Sequence, residues 1–168
     1  MINIVLFEPE IPQNTGNIMR TCAGTYAKLH LIKPLGFSLS ENAIKRSGVN
    51  YIENCDYTVY EDFEDFLSKN SGEFYYFTRY GHKPHSEFNY KETDKDIYLV
   101  FGKESTGIPK EILAQHLDRC ARIPTNDNIR ALNLSNCVAL VLFEVLRQLD
   151  YPNLLRNEPF KGENYLEE

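Results

Sequence analysis

The chain has 168 residues, of which 42% are hydrophobic, and its formal net charge is −6. This length supports one domain with a single substantial core and argues against two large domains. Because phosphate contacts need lysine and arginine, the acidic balance argues against nucleic-acid binding through bulk electrostatics, and any such site must be a local basic patch.

The first half of the chain alternates strand and helix signals. The apolar, β-branched run Ile2–Phe7 is typical of a strand buried on both faces, and it implies a parallel sheet. A helix follows to about Ala27, for which Asn14 or Thr15 is the predicted cap. The other predicted elements of this half are a strand at residues 29–32, a brief helix around 43–46 capped by Ser40, and a short amphipathic segment at 62–67.

The second half predicts further strands and a long final helix. The elements are strands at 74–78, 97–101 and 121–123, a helix near 109–116 and a final helix over 134–149. The polar stretch with Gly81 and Pro84 is expected to be a loop. The final helix is apolar on almost every side, so it either lies deep in the core or forms a subunit interface. The expected organisation is a single domain at 1–156 and an acidic tail at 157–168.

Cysteine usage and hydropathy indicate the compartment. The four cysteines show no C-x-x-C pair and no zinc spacing, so reduced core thiols are expected. No leader-like segment opens the chain, and the longest apolar run, residues 137–143, is too short to cross a bilayer. The sequence therefore predicts a cytoplasmic protein that binds neither a metal nor a membrane. The candidates for a basic patch are Arg20, Lys33, Lys45, Arg46 and the loop with Arg79, His82 and Lys83.

Two segments place polar residues where a strand passes to a helix. Residues 14–20, NTGNIMR, follow the first strand, where open α/β sheets favour ligands. Arg20 can hold a phosphate with its planar guanidinium, although a capping asparagine and a surface arginine explain this segment better when it is taken alone.

Residues 101–109, FGKESTGIP, contain glycines that permit close backbone approach to a ligand. Ile108 and Pro109 stand where a Walker-type loop needs lysine and serine or threonine, which disfavours that class of nucleotide triphosphatase.

A third segment completes a set of three motifs. It runs from Ile123-Pro124 through a polar loop to Asn133, where helix capping is the simpler explanation when the segment is taken alone. Taken together and in this order, N-T-G-N-I-x-R, F-G-x-E-x-x-G-I-P and I-P…L-N-L-S-N resemble the motifs of the SpoU-type, or SPOUT, RNA 2′-O-ribose methyltransferases. The length and the opening M-I-N-I-V-L-F-E-P-E-I-P are most similar to the small TrmL/YibK-like branch, which methylates the wobble-nucleotide ribose of certain tRNAs.

The resemblance implies an α/β fold, a parallel sheet with helices on both faces, whose C-terminal third threads into a deep trefoil knot. Physical rules alone would reject that topology. The resemblance also implies a homodimer, a tRNA anticodon stem–loop as substrate, and S-adenosyl-L-methionine as methyl donor, with S-adenosyl-L-homocysteine as product. The cofactor is expected in three loops at Phe77, Thr78, Gly102, Ile123, Ala131 and Leu132. Ala131 departs from many relatives, in which a serine is common.

The same resemblance implies catalytic roles for Arg20, Asn14, Glu104 and Asn133. Arg20 is expected to anchor the target phosphate and to stabilise charge on the reacting oxygen, because an arginine is almost always protonated and is a poor base. Glu104 is expected to orient Arg20, while Asn14 and Asn133 complete the hydrogen-bond frame. RNA contacts are expected from Arg20, Arg46, Lys103 and Arg130. The loop with Tyr80, His82 and His85 is a candidate for reading anticodon bases by stacking.

Two other functions remain open. A SPOUT-like fold that binds RNA or cofactor without catalysis is favoured by Ala131 and by the acidic balance. A metal-dependent hydrolase would use His82 and His85, but no carboxylate pattern supplies a third ligand, and two exposed loop histidines are the simpler explanation.

Overall fold

The computed structural model describes residues 1–40 and 52–167, and in this part of the chain seven parallel strands form one sheet. Their bounds are β1 Ile2–Phe7, β2 Lys28–Ile32, β3 Tyr57–Tyr60, β4 Glu73–Phe77, β5 Lys83–Pro84, β6 Ile97–Phe101 and β7 Cys120–Arg122. The order across the sheet is β3-β2-β1-β6-β4-β7-β5. The parallel sheet predicted from the first strand is therefore confirmed.

Helices lie on both faces of this sheet. In the described residues they are α1 Pro12–Ala23, α2 Phe63–Lys69, α3 Lys110–Ala114 and α4 Leu134–Gln148. Because successive side chains of a strand point to opposite faces, neighbours in β1 enter different cores. Ile4 packs in the core that holds Leu142 of α4, whereas Val5 packs in the core that holds Phe66 of α2. The expected α/β architecture is confirmed, and the deep trefoil knot stays a prediction.

Helix α1 differs from its predicted form at both ends. It begins at Pro12 and no side chain of the described residues caps it, so neither Asn14 nor Thr15 is the cap. A proline suits the start of a helix, because its missing N–H would have no helical partner there. The helix ends at Ala23, earlier than predicted, and Tyr26 beyond it has a φ of 58°, which lies outside the helical region. The prediction extended the helix into the turn before β2.

Two strands and one predicted helix also differ from expectation. The sequence does not predict the edge strand β3, because its four residues, Tyr-Thr-Val-Tyr, include a polar threonine and form no continuous apolar run. The stretch with Gly81 and Pro84 is not only a loop, since it contains the two-residue strand β5. A Cβ on Gly81 would lie 2.3 Å from the Ala121 carbonyl carbon, so only glycine lets this stretch pass so close to β7. The helix expected around 43–46 lies outside the described residues.

Helix α4 buries one side and leaves another exposed. The buried side consists of Val138, Val141, Leu142, Val145 and Leu146. Leu140 and Phe143 are 46% and 47% exposed, and together with Leu132, Asn136 and Ala139 they line a shallow apolar groove, here called the α4 groove. The predicted core position is confirmed for one side, and a subunit interface at the other stays a prediction.

The chain beyond α4 has no regular secondary structure in the described residues. Residues 149–167 form turns and irregular segments, without a helix or strand. The division into a domain at 1–156 and a tail at 157–168 stays a prediction. Across residues 1–40 and 52–167, no helix has the length and apolar character needed to span a membrane.

Candidate active site

A cavity of about 600 Å³ opens at the carboxyl ends of three adjacent strands. Its walls include the ends of β4, β6 and β7, with Phe77, Thr78, Phe101, Gly102, Arg122 and Ile123. Open parallel sheets bind their ligands at this edge, and the volume is within the range of small-molecule sites. The cavity therefore lies where the fold is expected to hold a ligand.

Hydrogen bonds join the three sequence motifs beside this cavity. Asn14 donates through Nδ2 to Glu104 Oε1 over 3.2 Å, and its Oδ1 accepts from Asn133 Nδ2 over 2.9 Å. Asn14 is 5% exposed, so its amide would be costly to leave without partners. Residues 119 positions apart are thus held together, and we call Glu104, Asn14 and Asn133 the polar frame.

The Glu104 carboxylate also binds the main chain that precedes α1. Its oxygens accept from the N–H groups of Glu10, over 2.8 Å, and Ile11, over 3.0 Å. The Glu10 carboxylate in return accepts from the Ser105 N–H and hydroxyl, each over 2.9 Å. These hydrogen bonds from Ser105 lower the pKa of the Glu10 carboxyl. Because hydrogen bonds to a carboxylate are charge-assisted, this reciprocal pair fixes the second motif against the start of α1.

Asn133 connects the polar frame to α4. Its Oδ1 accepts from the N–H groups of Ser135, over 2.9 Å, and Asn136, over 3.4 Å, so it is the N-cap of that helix. Its Nδ2 remains directed to Asn14. Asn133 therefore has both of the roles considered for the third motif. Its Oδ1 caps α4, and its Nδ2 binds Asn14 beside the cavity.

Two glycines shape the loop of the second motif. Gly107 has a φ of 74°, a backbone conformation that glycine adopts without strain. A Cβ on Gly102 would lie 2.1 Å from the Gly107 carbonyl carbon. The Gly107 N–H donates to the Lys103 carbonyl oxygen over 2.9 Å, which closes the loop on itself. A side chain at position 102 would therefore displace a wall of the cavity.

The cavity is basic although the whole chain is acidic. Among the described residues, its lining contains four basic side chains and one carboxylate, namely Arg79, Lys103, Arg122, Arg130 and Glu104. Lys103 Nζ lies 2.9 Å from a Glu8 carboxylate oxygen, and this contact raises the pKa of Lys103. Arg79 and Arg130 are exposed, and the Arg79 guanidinium lies 5.3 Å from the Tyr80 ring centroid. This local basic character is what an acidic chain needs to bind RNA.

All six residues that are predicted to hold the cofactor line this one cavity: Phe77, Thr78, Gly102, Ile123, Ala131 and Leu132. The lining fits S-adenosylmethionine in two respects. Loops shaped by glycine permit close backbone approach to a nucleoside, and a partly buried arginine, Arg122, has a buried Nε without a hydrogen-bond partner among the described residues. An unpartnered donor of this kind suits the carboxylate of an amino-acid group.

Arg20 does not join this set. It is exposed on α1 and lies outside the group of described residues that line the cavity of the same chain. A role for Arg20 at a cavity therefore requires a second copy of the chain or an RNA that reaches both places. Arg46, the other predicted RNA contact outside the cavity, lies outside the described residues.

The two histidines of the alternative metal site do not form a ligand set. His82 is exposed, whereas His85 is partly buried and its carbonyl oxygen accepts from the Tyr90 hydroxyl over 2.8 Å. Within the described part of the chain, no three histidine, cysteine or acidic side chains are grouped as metal ligands.

Sequence reasoning missed two residues of the site. Glu10 is visible as an acid directly before α1, but its pairing with Ser105, 95 positions away, has no local signal. Arg122 is visible as a charge at the end of the otherwise buried strand β7. A charged residue at the last position of an otherwise apolar strand is the sequence signal that could have identified Arg122.

Comparison with known proteins identifies the family. The model of the SpoU rRNA Methylase family matches residues 1–143. A relative from Geobacillus stearothermophilus is 46% identical over 154 residues, which cover 91% of this chain and 98% of the relative. The tRNA (cytidine(34)-2′-O)-methyltransferase of Escherichia coli K12 is 43% identical over 154 residues, which cover 90% of this chain and 96% of the relative.

Solved structures agree with this assignment. A crystal structure from Bacillus anthracis is 47% identical, with a TM-score of 0.88 over 93% of this chain and 99% of that chain. An AdoMet-bound rRNA methyltransferase from Sinorhizobium meliloti is 25% identical, with a TM-score of 0.76 over 88% of this chain and 56% of that chain. Since the family model spans most of the sequence and the relatives align along nearly their whole length, the chain belongs to the SpoU methylase family.

Proposed function

We propose that the chain transfers a methyl group from S-adenosylmethionine to the ribose 2′-hydroxyl of the wobble nucleotide of tRNA, with cytidine and uridine as target bases. The observation that carries this proposal is the polar frame, which joins three strand-to-helix segments beside one basic cavity. The name of the Escherichia coli relative supports the choice of nucleotide 34.

The cofactor binds, in this proposal, to the loops that follow β4, β6 and β7. When bound, it supplies a sulfonium methyl group and leaves as S-adenosylhomocysteine. The chain itself holds the nucleoside against Gly102 and Ile123 and keeps the three loops in register through the polar frame. Holding donor and acceptor in line supplies much of the rate of such a transfer. Where the contacts come from the backbone, Ala131 serves as well as a serine.

The anticodon stem–loop binds at the basic rim of the cavity. Arg79 and Arg130 are exposed there, whereas the charge of Lys103 is already paired with Glu8. Tyr80 is 69% exposed beside Arg79, and unstacked bases of an RNA loop stack readily on such rings. The rim thus offers charge for the phosphates and one aromatic ring for a base.

The active form in this proposal is a homodimer that covers the α4 groove. Complete burial of a fully exposed leucine or phenylalanine side chain contributes about 1.5–3 kcal/mol, so covering Leu140 or Phe143, each already about half buried, contributes roughly half of that. A two-fold interface uses the same patch of both copies, so the groove on one copy meets the groove on the other. Arg20, outside the cavity of its own chain, then acts at the partner's cavity, where it anchors the target phosphate and stabilises charge on the 2′-oxygen.

A tritiated-methyl assay with Arg20→Ala tests this function. The variant is expected to lose methyl transfer to tRNA while calorimetric titration gives an unchanged affinity for S-adenosylmethionine, because Arg20 lies outside the cofactor loops. Arg156→Ala, which removes an exposed arginine paired with Asp150, is the matched control. It is expected to keep both methyl transfer and the affinity for S-adenosylmethionine. Normal turnover of Arg20→Ala refutes the role of Arg20. Tight cofactor binding by the unaltered protein without transfer to any tRNA favours the non-catalytic alternative.

A further inference from the structure

Arg122 lines the cavity with a hydrogen-bond donor that the described residues do not satisfy. It is the last residue of β7 and is partly buried, with its Nε enclosed and without a hydrogen-bond partner among the described residues. Neighbouring Arg119 shows the contrast, because its guanidinium binds the Glu73 carboxylate over 2.8 Å. A buried donor without a partner is uncommon in folded proteins and is costly, so it calls for a partner that arrives later.

Among the described residues that line the cavity, no carboxylate is left free to bind Arg122. The sole carboxylate among its described lining residues is Glu104, whose oxygens accept from two main-chain N–H groups and from Asn14. Other basic lining residues differ in kind: Lys103 is paired with Glu8, while Arg79 and Arg130 are exposed to water. Arg122 therefore combines partial burial, a position in the wall and a donor that the described residues leave unsatisfied.

We propose that Arg122 is the anion-binding residue of the cavity, and that its guanidinium receives a pair of anionic oxygens of a bound ligand. An arginine presents its N–H groups in a planar fork that matches carboxylate and phosphate oxygens, and partial burial strengthens such a contact. The inference rests on the proposed function for its two sources of anion, namely the carboxylate of the methyl donor and a phosphate of the RNA. Both present the same paired oxygens to the fork.

Two methyl donors that differ by one group separate these sources. Calorimetry is used to measure the affinities of S-adenosylmethionine and decarboxylated S-adenosylmethionine for the unaltered protein, Arg122→Met and Arg122→Lys. If the donor supplies the anion, Arg122→Met is expected to lose about 10- to 100-fold in affinity for S-adenosylmethionine alone. Arg122→Lys is expected to lose less, since it keeps the charge but not the fork.

The RNA source gives a different pattern in the same variants. Both donors then bind Arg122→Met normally, while affinity for a tRNA anticodon stem–loop falls and the slope of log affinity against log salt decreases by about one. Arg119→Met is the matched control, since Arg119 lies outside the cavity lining, and it is expected to change neither pattern. Thermal melting of each variant verifies that it is folded, and Arg122→Lys carries the test if Arg122→Met is not.

Two outcomes overturn the inference. Equal weakening of both donors would mean that Arg122 only supports the shape of the cavity. Unchanged binding of both donors and of the RNA would mean that it binds no anion. Failure of the unaltered protein to bind S-adenosylmethionine at all instead contradicts the proposed function, so the two failures are distinguishable.

Discussion

At the scale of single residues, the Glu104 carboxylate accepts hydrogen bonds that a glutamine amide at this position could not all accept. Its two oxygens accept from three donors, on Glu10, Ile11 and Asn14. In Glu104→Gln one oxygen becomes an NH₂ group that faces an N–H donor. We expect the free energy of unfolding to fall by about 1–3 kcal/mol and cofactor affinity to fall with it.

Urea unfolding and calorimetry of Glu104→Gln measure both effects. Glu87→Gln, which alters an exposed glutamate outside the cavity lining, is the control and is expected to change neither quantity. Unaltered stability in Glu104→Gln would show that the polar frame does not depend on the carboxylate.

His30 is a second residue whose contacts predict a measurable property. It is 1% exposed between β1 and β3, with Nδ1 2.8 Å from the Tyr60 hydroxyl and Nε2 2.9 Å from Asn3 Oδ1. Burial, with a smaller contribution from Lys28, lowers the pKa of His30 to about 4. Since an unfolded histidine titrates near 6.5, the unfolded chain takes up the proton first as the pH falls. The contribution of His30 to stability is therefore complete above about pH 6.5 and is lost towards pH 4.

The size of that effect is about 3 kcal/mol, from a pKa difference of roughly 2.5 units at 1.36 kcal/mol per unit. Free energies of unfolding in urea, measured from pH 7 to pH 4 for the unaltered chain and for His30→Gln, isolate it from the other titrating groups. The two curves are expected to converge as the pH falls. Parallel curves would contradict a neutral, buried His30.

At the scale of elements, the second-motif loop tolerates no side chain at position 102. In Gly102→Ala the new methyl group would meet the Gly107 carbonyl carbon at 2.1 Å, and a backbone atom cannot yield as a flexible side chain does. Such overpacking costs about 1–3 kcal/mol and moves the loop. We expect cofactor affinity to fall at least tenfold, as measured by calorimetry.

Gly24→Ala is the matched control for this prediction. Its nearest non-neighbouring atom, the Arg20 carbonyl oxygen, would lie 3.5 Å from the new Cβ, an ordinary contact distance. We expect unchanged cofactor binding there. Equal binding by Gly102→Ala would mean that the loop can move without affecting the cavity.

The elements also show which parts of the fold the sequence predicts. The strands β1 and β6 are predicted at their observed bounds, because a strand buried on both faces is a continuous apolar run. The edge strand β3 is not predicted, since three of its four residues are only partly buried and it carries no such run. The sequence predicts the start of α1 at the polar residues Asn14 and Thr15, but both are buried within the helix, and the Asn14 amide binds Glu104 beside the cavity instead of capping.

The sequence likewise predicts one part of the candidate site and misses another. The three motifs predict which loops meet, and the six expected cofactor residues line one cavity. The pairing of Glu10 with Ser105 joins distant segments, and the enclosure of Arg122 Nε without a partner among the described residues depends on tertiary packing, so local sequence carries no signal for either.

At the scale of the whole molecule, the proposed function divides each site between two copies of the chain. Arg20 is exposed outside the cavity of its own chain, and the α4 groove exposes apolar side chains. If Arg20 acts at the partner's cavity, Arg20→Ala and Gly102→Ala damage different halves of one site. Mixed dimers then contain one intact site.

Refolding the two variants together tests this arrangement by the tritiated-methyl assay, run at a concentration of S-adenosylmethionine that the unaltered site binds and the weakened Gly102→Ala site does not. We expect methyl transfer to return to about a quarter of the unaltered level, because half of the dimers are mixed and each has one complete site of two. Separately refolded variants, combined afterwards without exchange, are the control and are expected to stay inactive. Absence of recovery in the mixed dimers would place Arg20 and Gly102 in the same site of the same chain.

In the proposed function, this cavity delivers a methyl group to one ribose of tRNA. The most direct test is to map ribose methylation across the tRNA of a strain that lacks this protein, before and after incubation with the purified protein and S-adenosylmethionine. We expect nucleotide 34 of some tRNAs to lack its 2′-O-methyl group before incubation and to gain it afterwards. A methyl group that appears on a base or at another nucleotide, while nucleotide 34 stays unchanged, would contradict the proposed function.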